Sequence, residues 1–256
     1  MIRISGMFPI DCKQEKGLLR RMPHIHRFHV PAHQLTPPLV ALPDEEAHHA
    51  ARVVRVKTGD PVLLFDGEGR ECDGTIAQVS RRDVVVAIEA ERRYPPPDVR
   101  VTLFQAWLLR EKAVEFLIRH GTETGISRFV FFRGGHSEQL PRPQEKWRRI
   151  AIEACKQCGR VWLPSFVVHA GLDAALDAEP MPILLATRDG NPVSLRQAML
   201  HRETGVIVGP EGGLTEEEHS LAMARGATPI TLGNVTYRAE MAGIVAALLI
   251  THELSL

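Results

Sequence analysis

Three consecutive prolines, Pro95–Pro97, constrain this chain more than any other local feature. Proline has a fixed φ and no backbone N–H, so three in a row cannot continue a helix or a central strand. They make a stiff connection instead. The segment Arg92–Asp98, RRYPPPD, therefore predicts a boundary between two domains.

Before the boundary, the pattern is that of a small β-rich domain. Short apolar runs are separated by turn residues, including DGEG at Asp66–Gly69, as expected of strands joined by tight turns. One helix is predicted at Asp44–Val56, with Asp44 as its N-cap and Gly59 past its end. The predicted strands are Asp60–Phe65, Gly74–Val79 and Val84–Glu89.

After the boundary, strands and helices alternate, which is typical of an α/β domain. Helices are predicted at about Glu111–His120, from Pro143 to a C-cap at Gly159, and at about Arg238–His252. The last helix is apolar nearly all round, which favours a place in the core or in a subunit interface. The predicted strands are Val101–Trp107, Ile126–Phe132, Pro182–Thr187, Gly205–Gly209 and Thr228–Leu232.

Composition restricts the class of function. The 256 residues are 44% hydrophobic and carry zero net charge, from 31 basic and 31 acidic side chains. No apolar run reaches the ~18–20 residues of a membrane span. The N-terminus lacks a secretory signal, and four cysteines in this length are no disulfide framework, so we expect a cytoplasmic protein. Zero net charge argues against a protein that simply coats nucleic acid.

Basic residues are nevertheless concentrated in one segment. Between Arg128 and Arg160 there are eight Lys or Arg against three Glu. This excess fits either a phosphate-facing patch or a solvated helix face.

The segment VIVGPEGGLTEEE, Val206–Glu218, runs from an apolar strand through a glycine-rich loop into a helix. Thr215 and Glu218 have the spacing of a capping box, which predicts a helix start. Glycines allow positive φ and close approach of a ligand to the backbone, although a tight strand-to-helix connection would look the same. Because no phosphate-loop motif is present and Glu211 would repel phosphate, a neutral or amine-bearing ligand such as an adenine compound fits better.

A second segment, Thr231–Ala242 (TLGNVTYRAEMA), again joins a strand end, a glycine turn and a helix start. Together the two segments resemble the ribosomal RNA small subunit methyltransferase E family of the SPOUT class. That family carries G-P-E-G-G-[LF]-[ST]-x-x-E and L-G-x-R-[IV]-L-R-x-E-T-A. The resemblance extends to about residues 24–253. Three further segments match the family's sequence pattern: AIEACKQCGRVWLP (Ala151–Pro164), HHAARVVRVKTGDPVLLFDGEG (His48–Gly69) and LLREKAVEFLIRHGTETGI (Leu108–Ile126).

The resemblance implies a fold and a reaction that the residue pattern alone does not supply. It implies an α/β SPOUT methyltransferase domain at 98–256 with a C-terminal trefoil knot, and a PUA-like RNA-binding domain at 22–95. The chain would be a homodimer that uses S-adenosyl-L-methionine to methylate N3 of a uridine in 16S rRNA, on the small ribosomal subunit. No metal and no membrane are implied. Residues 1–21 are expected to be a disordered arm or the product of an upstream start codon.

The predicted site residues fall into three groups. Cofactor-binding residues are placed at the carboxyl ends of three strands, where ligands bind in open α/β sheets: Ala186, Thr187, Gly209, Pro210, Glu211, Gly212, Gly213, Leu232, Gly233, Asn234 and Tyr237. The predicted catalytic residues are Arg238, to stabilise charge on the uracil carbonyls, and Glu240, where either Glu240 or a water accepts the proton. The RNA-binding residues are Arg52, Arg55, Lys112, Arg149, Lys156 and Arg160.

Two departures from the family pattern leave alternatives open. Val235 stands in place of the first arginine of the second motif, and Met241 in place of its threonine. The chain could therefore be a SPOUT methyltransferase for a different RNA, or an RNA-binding relative with weakened catalysis.

Two other groups of residues could suggest a metal or redox site. Cys155 and Cys158 are spaced like half a zinc site, but no second pair exists, and both are expected to pack in the core. The histidines His24, His26, His29, His33, His48 and His49 lack a carboxylate or Cys at ligand spacing. We expect them at the surface or near RNA.

Overall fold

The computed structural model describes residues 25–80, 83–139 and 141–254. The predicted extension, residues 1–21, lies outside these ranges. Two sheets form the framework, one of five strands and one of seven. Residues 94–99 connect them, because the first sheet ends at Arg93 and the second begins at Arg100.

The N-terminal sheet has the strand order β1-β3-β4-β5-β2, with β1 parallel to β3 and the remaining pairs antiparallel. Its strands are β1 (His26–His29), β2 (Leu39–Ala41), β3 (Pro61–Phe65), β4 (Arg70–Val79) and β5 (Val84–Arg93). Alternate strand residues point to one buried face, where Phe28, Leu64 and Ile76 lie in a single apolar cluster. The sequence predicted β3–β5 but not the two short strands.

The helix of this domain differs from the prediction. An α-helix, α1 (Asp44–His48), passes into a π-helical segment, His49–Val54, which ends at Arg55 in the left-handed conformation, with φ of 61°. Asp44 is not the N-cap. Pro43 takes that position in an extended conformation, with no side-chain hydrogen bond. Asp44 is the first helical residue, where its negative charge favours the positive end of the helix dipole.

The C-terminal domain has a fully parallel sheet in the order β10-β12-β9-β11-β6-β7-β8. Its strands are β6 (Arg100–Ala106), β7 (Ile126–Phe132), β8 (Ser165–His169), β9 (Ile183–Ala186), β10 (Val193–Ser194), β11 (Glu203–Val208) and β12 (Thr228–Thr231). Its helices are α2 (Glu111–Glu123), α3 (Glu145–Cys158), α4 (Leu172–Ala178), α5 (Glu216–Ala224) and α6 (Ala239–Leu254). A 3-10 turn, Leu195–Gln197, follows β10.

Helices cover both faces of this sheet. On one face, Leu103, Val206 and Ile244 belong to a cluster shared with α2, α3 and α6. On the other face, Phe104, Ile207 and Ala222 pack with α4 and α5. A strand buried on both sides needs apolar residues at every position, and for this reason the central strands read as continuous apolar runs.

The structure confirms the predictions for two helix ends but not the predicted burial of one cysteine. Gly159 is the C-cap of α3 in the left-handed conformation, with φ of 84°. Thr215 and Glu218 form the predicted capping box of α5. Cys155 is buried as expected, but Cys158 is exposed at the last position of α3, because the helix leaves the core there. Its prediction as a core residue was wrong.

Main-chain hydrogen bonds join the two domains. In the segment after α3, Val161 accepts a bond from the N–H of Gly69 at 3.1 Å, and Leu163 donates to the carbonyl of Gly67 at 2.9 Å. The indole N–H of Trp162 donates to the carbonyl of Pro95 at 2.9 Å. Gly67 and Gly69 both have positive φ, and a Cβ on either one would overlap the side chain of Leu163 or Trp162. The DGEG turn is thus shaped for this contact.

Candidate active site

A pocket of about 910 Å³ lies at the carboxyl ends of β9, β11 and β12. Three loops surround it: the first follows β9 (186–190), the second is the glycine loop after β11 (209–215), and the third follows β12 (232–238). Both predicted catalytic residues line it. The predicted cofactor-binding residues that line it are Ala186, Thr187, Gly209, Pro210, Glu211, Gly212, Gly213, Leu232, Gly233 and Tyr237. Asn234 is exposed on the third loop and is not part of the lining.

The glycines of the second loop have different structural reasons. Gly213 has φ of 77°, a conformation that side-chain-bearing residues rarely adopt. A Cβ on Gly209 would lie 2.9 Å from the backbone nitrogen of Leu214, so the loop could not fold back so tightly there. A Cβ on Gly212 would meet only the side chain of His136, at 3.2 Å. The tight turn therefore depends on Gly209 and Gly213.

Neighbouring strand ends hold the second loop from behind. Gln105, at the end of β6, is fully buried and donates from Nε2 to the carbonyl of Gly209 at 3.0 Å. The N–H of Leu109 donates to both carboxylate oxygens of Glu211, at 3.2 and 3.3 Å. After β7, the His136 ring bonds to the carbonyl of Gly213 at 3.0 Å. Glu211 therefore lines the pocket with its carboxylate already occupied by the protein.

Arg238 and Glu240 lie at the start of α6. The carbonyl of Arg238 accepts bonds from the N–H groups of Met241 and Ala242, so Arg238 precedes the first helical turn. Its guanidinium is without a hydrogen-bond or ion-pair partner among the described residues, and it is exposed at the pocket. Glu240 is only 8% exposed, and its carboxylate likewise has no partner in the part of the chain that the structure describes. The residue is mostly buried, but its carboxylate oxygens are not among the buried atoms that lack a partner, so we infer that they are open to the pocket that the residue lines and available to a ligand.

The part of the chain that forms this pocket matches a known protein family. The family model of the RNA methyltransferase domain matches residues 95–251, more than half of the chain. The chain belongs to the RNA methyltransferase family. A second model, the RNA methyltransferase PUA domain, matches residues 42–89, which include β3, β4 and most of β5.

Individual relatives agree with this family. The chain is 29% identical to the ribosomal RNA small subunit methyltransferase E of Synechocystis over 86% of this chain and 75% of that protein. It is 26% identical to the protein of the same name from Bacillus subtilis, over 86% and 92%. Among solved structures, it resembles a ribosomal RNA small subunit methyltransferase E from Neisseria gonorrhoeae bound to S-adenosyl methionine, with 25% identity, a TM-score of 0.81, and coverage of 90% of this chain and 98% of that one.

The basic residues predicted to bind RNA separate into two sets in this methyltransferase. Arg52, Arg55 and Lys112 are exposed and have no side-chain partner among the described residues. Arg149 is exposed and lies 3.9 Å from Glu45, a weak surface pair. These four side chains remain available to RNA.

Lys156 and Arg160 have structural roles instead. Lys156 is 9% exposed and contacts Glu46 of the N-terminal domain at 3.1 Å and Glu153 at 2.9 Å. Arg160 donates to the carbonyls of Thr122 and Ile126, at 2.6 and 2.9 Å. Because their polar atoms contact the protein itself, these two residues hold the domains and strand ends together rather than presenting free charge. The sequence showed two cations but could not show their partners.

The structure also brings to the pocket residues that the sequence analysis did not select. Arg110 lines it from the start of α2, and Arg188 lines it from the first loop. Arg188 follows the predicted Ala186 and Thr187 directly, so extending that stretch by one position would have included it. Arg110 comes from a separate segment, and only the fold shows that it is near.

Two negative observations apply to the described residues. No group of three or more His, Cys, Asp or Glu side chains within 25–80, 83–139 and 141–254 is placed to hold a metal ion. Within the same ranges, every helix is too short or too polar to cross a membrane.

Proposed function

We propose that this protein transfers the methyl group of S-adenosyl-L-methionine to N3 of a specific uridine in 16S rRNA, with the assembled small ribosomal subunit as substrate. The observation that carries the proposal is the pair Arg238 and Glu240 at a three-loop pocket, where neither side chain has a partner among the residues that the structure describes. They lie in a chain that belongs to the RNA methyltransferase family.

The size and charge of the pocket fit this cofactor. Its volume of about 910 Å³ is within the range of roughly 300–1,000 Å³ for small-molecule sites. Gly212 exposes its backbone to the pocket, where its N–H and C=O groups can bond to an adenine. The lining combines three arginines with three carboxylates that the protein does not occupy, and these carboxylates are the groups that would bind the ammonium and sulfonium charges of the ligand: Asp189, Glu216 and Glu240.

The bound cofactor supplies an electrophilic methyl group on sulfur, and the protein supplies the rest of the catalysis. N3 of uridine carries a proton, so it is a poor nucleophile until that proton leaves. Glu240 accepts the proton, since no other group in the described part of the chain competes for its carboxylate. Arg238 stabilises the negative charge that develops on the uracil carbonyls. The pocket wall holds the base in line with the methyl group, and the uridine enters unstacked from the RNA.

The same proposal includes the domain division, a knot and a dimer. We divide the chain into a PUA-like RNA-binding domain at 22–95 and a methyltransferase domain at 98–256. We include a C-terminal trefoil knot because of the sequence resemblance, and the order of β9, β11 and β6 and the packing of α6 against β6 and β11 are compatible with it. A homodimer is supported by the outer face of α6, where Leu248 is 53% exposed and Val245 is half-buried. Action on the ribosome places the protein in the cytoplasm.

The experiment measures cofactor binding and methyl transfer separately. Calorimetry gives the Kd for S-adenosyl-L-methionine, and 30S subunits lacking the modification serve as substrate, with nucleoside mass spectrometry of the product. We expect Arg238→Ala to lower kcat about 100-fold, the magnitude for loss of one charge-stabilising group, with Kd for the cofactor unchanged. Glu240→Gln is expected to lower kcat, because an amide cannot accept the N3 proton. Arg202→Ala, an exposed arginine before β11, is the matched control.

Each alternative function predicts a different result. Methylation of tRNA or of 23S rRNA but not of 30S subunits would identify a different RNA substrate. Cofactor binding or RNA binding without any transfer would identify a relative that has lost catalysis. An Arg238→Ala variant with wild-type kcat would reduce Arg238 to a residue at a helix end.

A further inference from the structure

Two of the three loops around the pocket touch through one side-chain hydrogen bond. Arg188, in the first loop, donates from its guanidinium to the hydroxyl of Thr236 in the third loop. Both residues line the pocket and both are exposed, so the contact lies at its mouth and not at its floor.

Most of the donor capacity of Arg188 remains free. A guanidinium has five N–H donors in a fixed fork, and within the described residues its one partner is Thr236. It forms no ion pair in those residues, although the neighbouring Asp189 is a carboxylate. The hydroxyl of Thr236 therefore fixes one side of the fork and leaves the other side toward solvent. A pre-positioned fork of this kind matches the geometry of a phosphate.

The residue beside Thr236 carries no charge. Val235 is an apolar side chain that is 59% exposed and lines the same pocket. It stands where the second motif of the resembled family has arginine. Arg188 brings positive charge to this point from a different loop, through its bond to the adjacent residue.

We propose that Arg188, held by Thr236, binds a phosphate of the substrate RNA at the mouth of the pocket. This rests on the proposed function. The exposed position of Arg188 favours RNA over the cofactor. The cofactor would be enclosed by the glycine loop inside the pocket, whereas an RNA strand would approach the pocket at its mouth. Arg188 then positions the strand from which the uridine enters, and Arg238 acts further along the same wall.

The test separates RNA binding from cofactor binding and from catalysis. In Arg188→Ala we expect KM for 30S subunits to rise about tenfold, with kcat and the Kd for S-adenosyl-L-methionine within twofold of wild type. One lost phosphate contact also lowers the salt slope of RNA binding by about 0.7–0.9. Arg202→Ala removes the same charge near the opposite ends of the strands and is expected to leave KM unchanged. Thr236→Val keeps the charge of Arg188 but removes the hydroxyl that holds it, and we expect KM for 30S subunits to rise about threefold.

The decisive variant restores the cation from the neighbouring position. In the double variant Arg188→Ala with Val235→Arg, we expect KM to return to within threefold of wild type. The proposal is wrong if KM for 30S subunits is unchanged in Arg188→Ala. It is also wrong if the cofactor Kd rises together with KM and Val235→Arg restores neither. In either case the Arg188–Thr236 hydrogen bond only connects the two loops. An inactive wild-type protein would instead contradict the proposed function.

Discussion

The pocket and the domain junction both contain charged side chains, but the charges are arranged in opposite ways. At the junction, Lys156 contacts two glutamates and Arg160 contacts two backbone carbonyls. At the pocket, Arg238 and Glu240 have no such partners in the described part of the chain. Residues of both regions belong to segments that carry the family resemblance.

The comparison distinguishes charges that stabilise the fold from charges available to a ligand. A buried charge must be compensated, because its desolvation penalty is several kcal/mol. Within the folded protein, the junction charges are compensated by their neighbours, and burial of Glu46, which raises its pKa, is opposed by the charge of Lys156. At the pocket, the charges of Arg238 and Glu240 would be compensated by the bound ligand. Variants of the two regions should therefore affect different measurements.

The largest expected effect concerns the pocket. Gly209→Ala places a Cβ about 2.9 Å from the Leu214 nitrogen, so the second loop cannot close in its present form. We expect the affinity for S-adenosyl-L-methionine, measured by calorimetry, to fall at least about 100-fold, about 3 kcal/mol. The free energy of unfolding should change much less. Gly226→Ala, at a positive-φ turn outside the pocket, is the control; equal cofactor binding in both variants would contradict the role of Gly209.

The next effect concerns the junction. Lys156→Met keeps the apolar stem but leaves Glu46 buried without its main partner, and we expect a loss of about 2–3 kcal/mol in urea unfolding, somewhat below the usual range for a fully buried pair. Cofactor affinity should stay unchanged. The double variant with Glu46→Gln should recover most of the stability, because it removes the uncompensated charge. Unchanged stability with weaker 30S binding would return Lys156 to the RNA-binding residues.

The smallest of the three effects depends on pH. Burial, helped by the charge of Arg148, lowers the pKa of His29 to about 4, below its usual 6.5. Between those values the unfolded chain binds a proton that the folded protein does not, so stability falls as pH falls. From pH 7 to pH 5 we expect wild type to lose about 2 kcal/mol more than His29→Gln. Parallel unfolding curves for the two proteins across this range would show that His29 titrates normally in the fold.

The sequence predicted local structure better than it predicted partners. The apolar runs identified the central strands, and β7 was predicted at its observed bounds, Ile126–Phe132. The edge strand β1, HRFH, lacks that pattern, because a short strand at an edge needs little apolar surface, and the three apolar residues of the edge strand β8, SFVVH, were not selected as a strand. Both catalytic predictions lie at the pocket. The errors at Cys158 and at His29, which is 4% exposed and not at the surface as expected, concern side chains whose environment is set by segments distant in sequence, and so do the different roles of Lys156 and Arg160.

The backbone bridge between the DGEG turn and Val161–Leu163 has a consequence for the thermodynamics of binding. A flexible hinge between an RNA-binding domain and a catalytic domain would have to become ordered when the complex forms, and this lost freedom would weaken the affinity. Here the relative orientation is fixed by peptide hydrogen bonds, so that entropy is lost during folding. The RNA-binding domain and the catalytic pocket are therefore held at a fixed distance before the RNA binds.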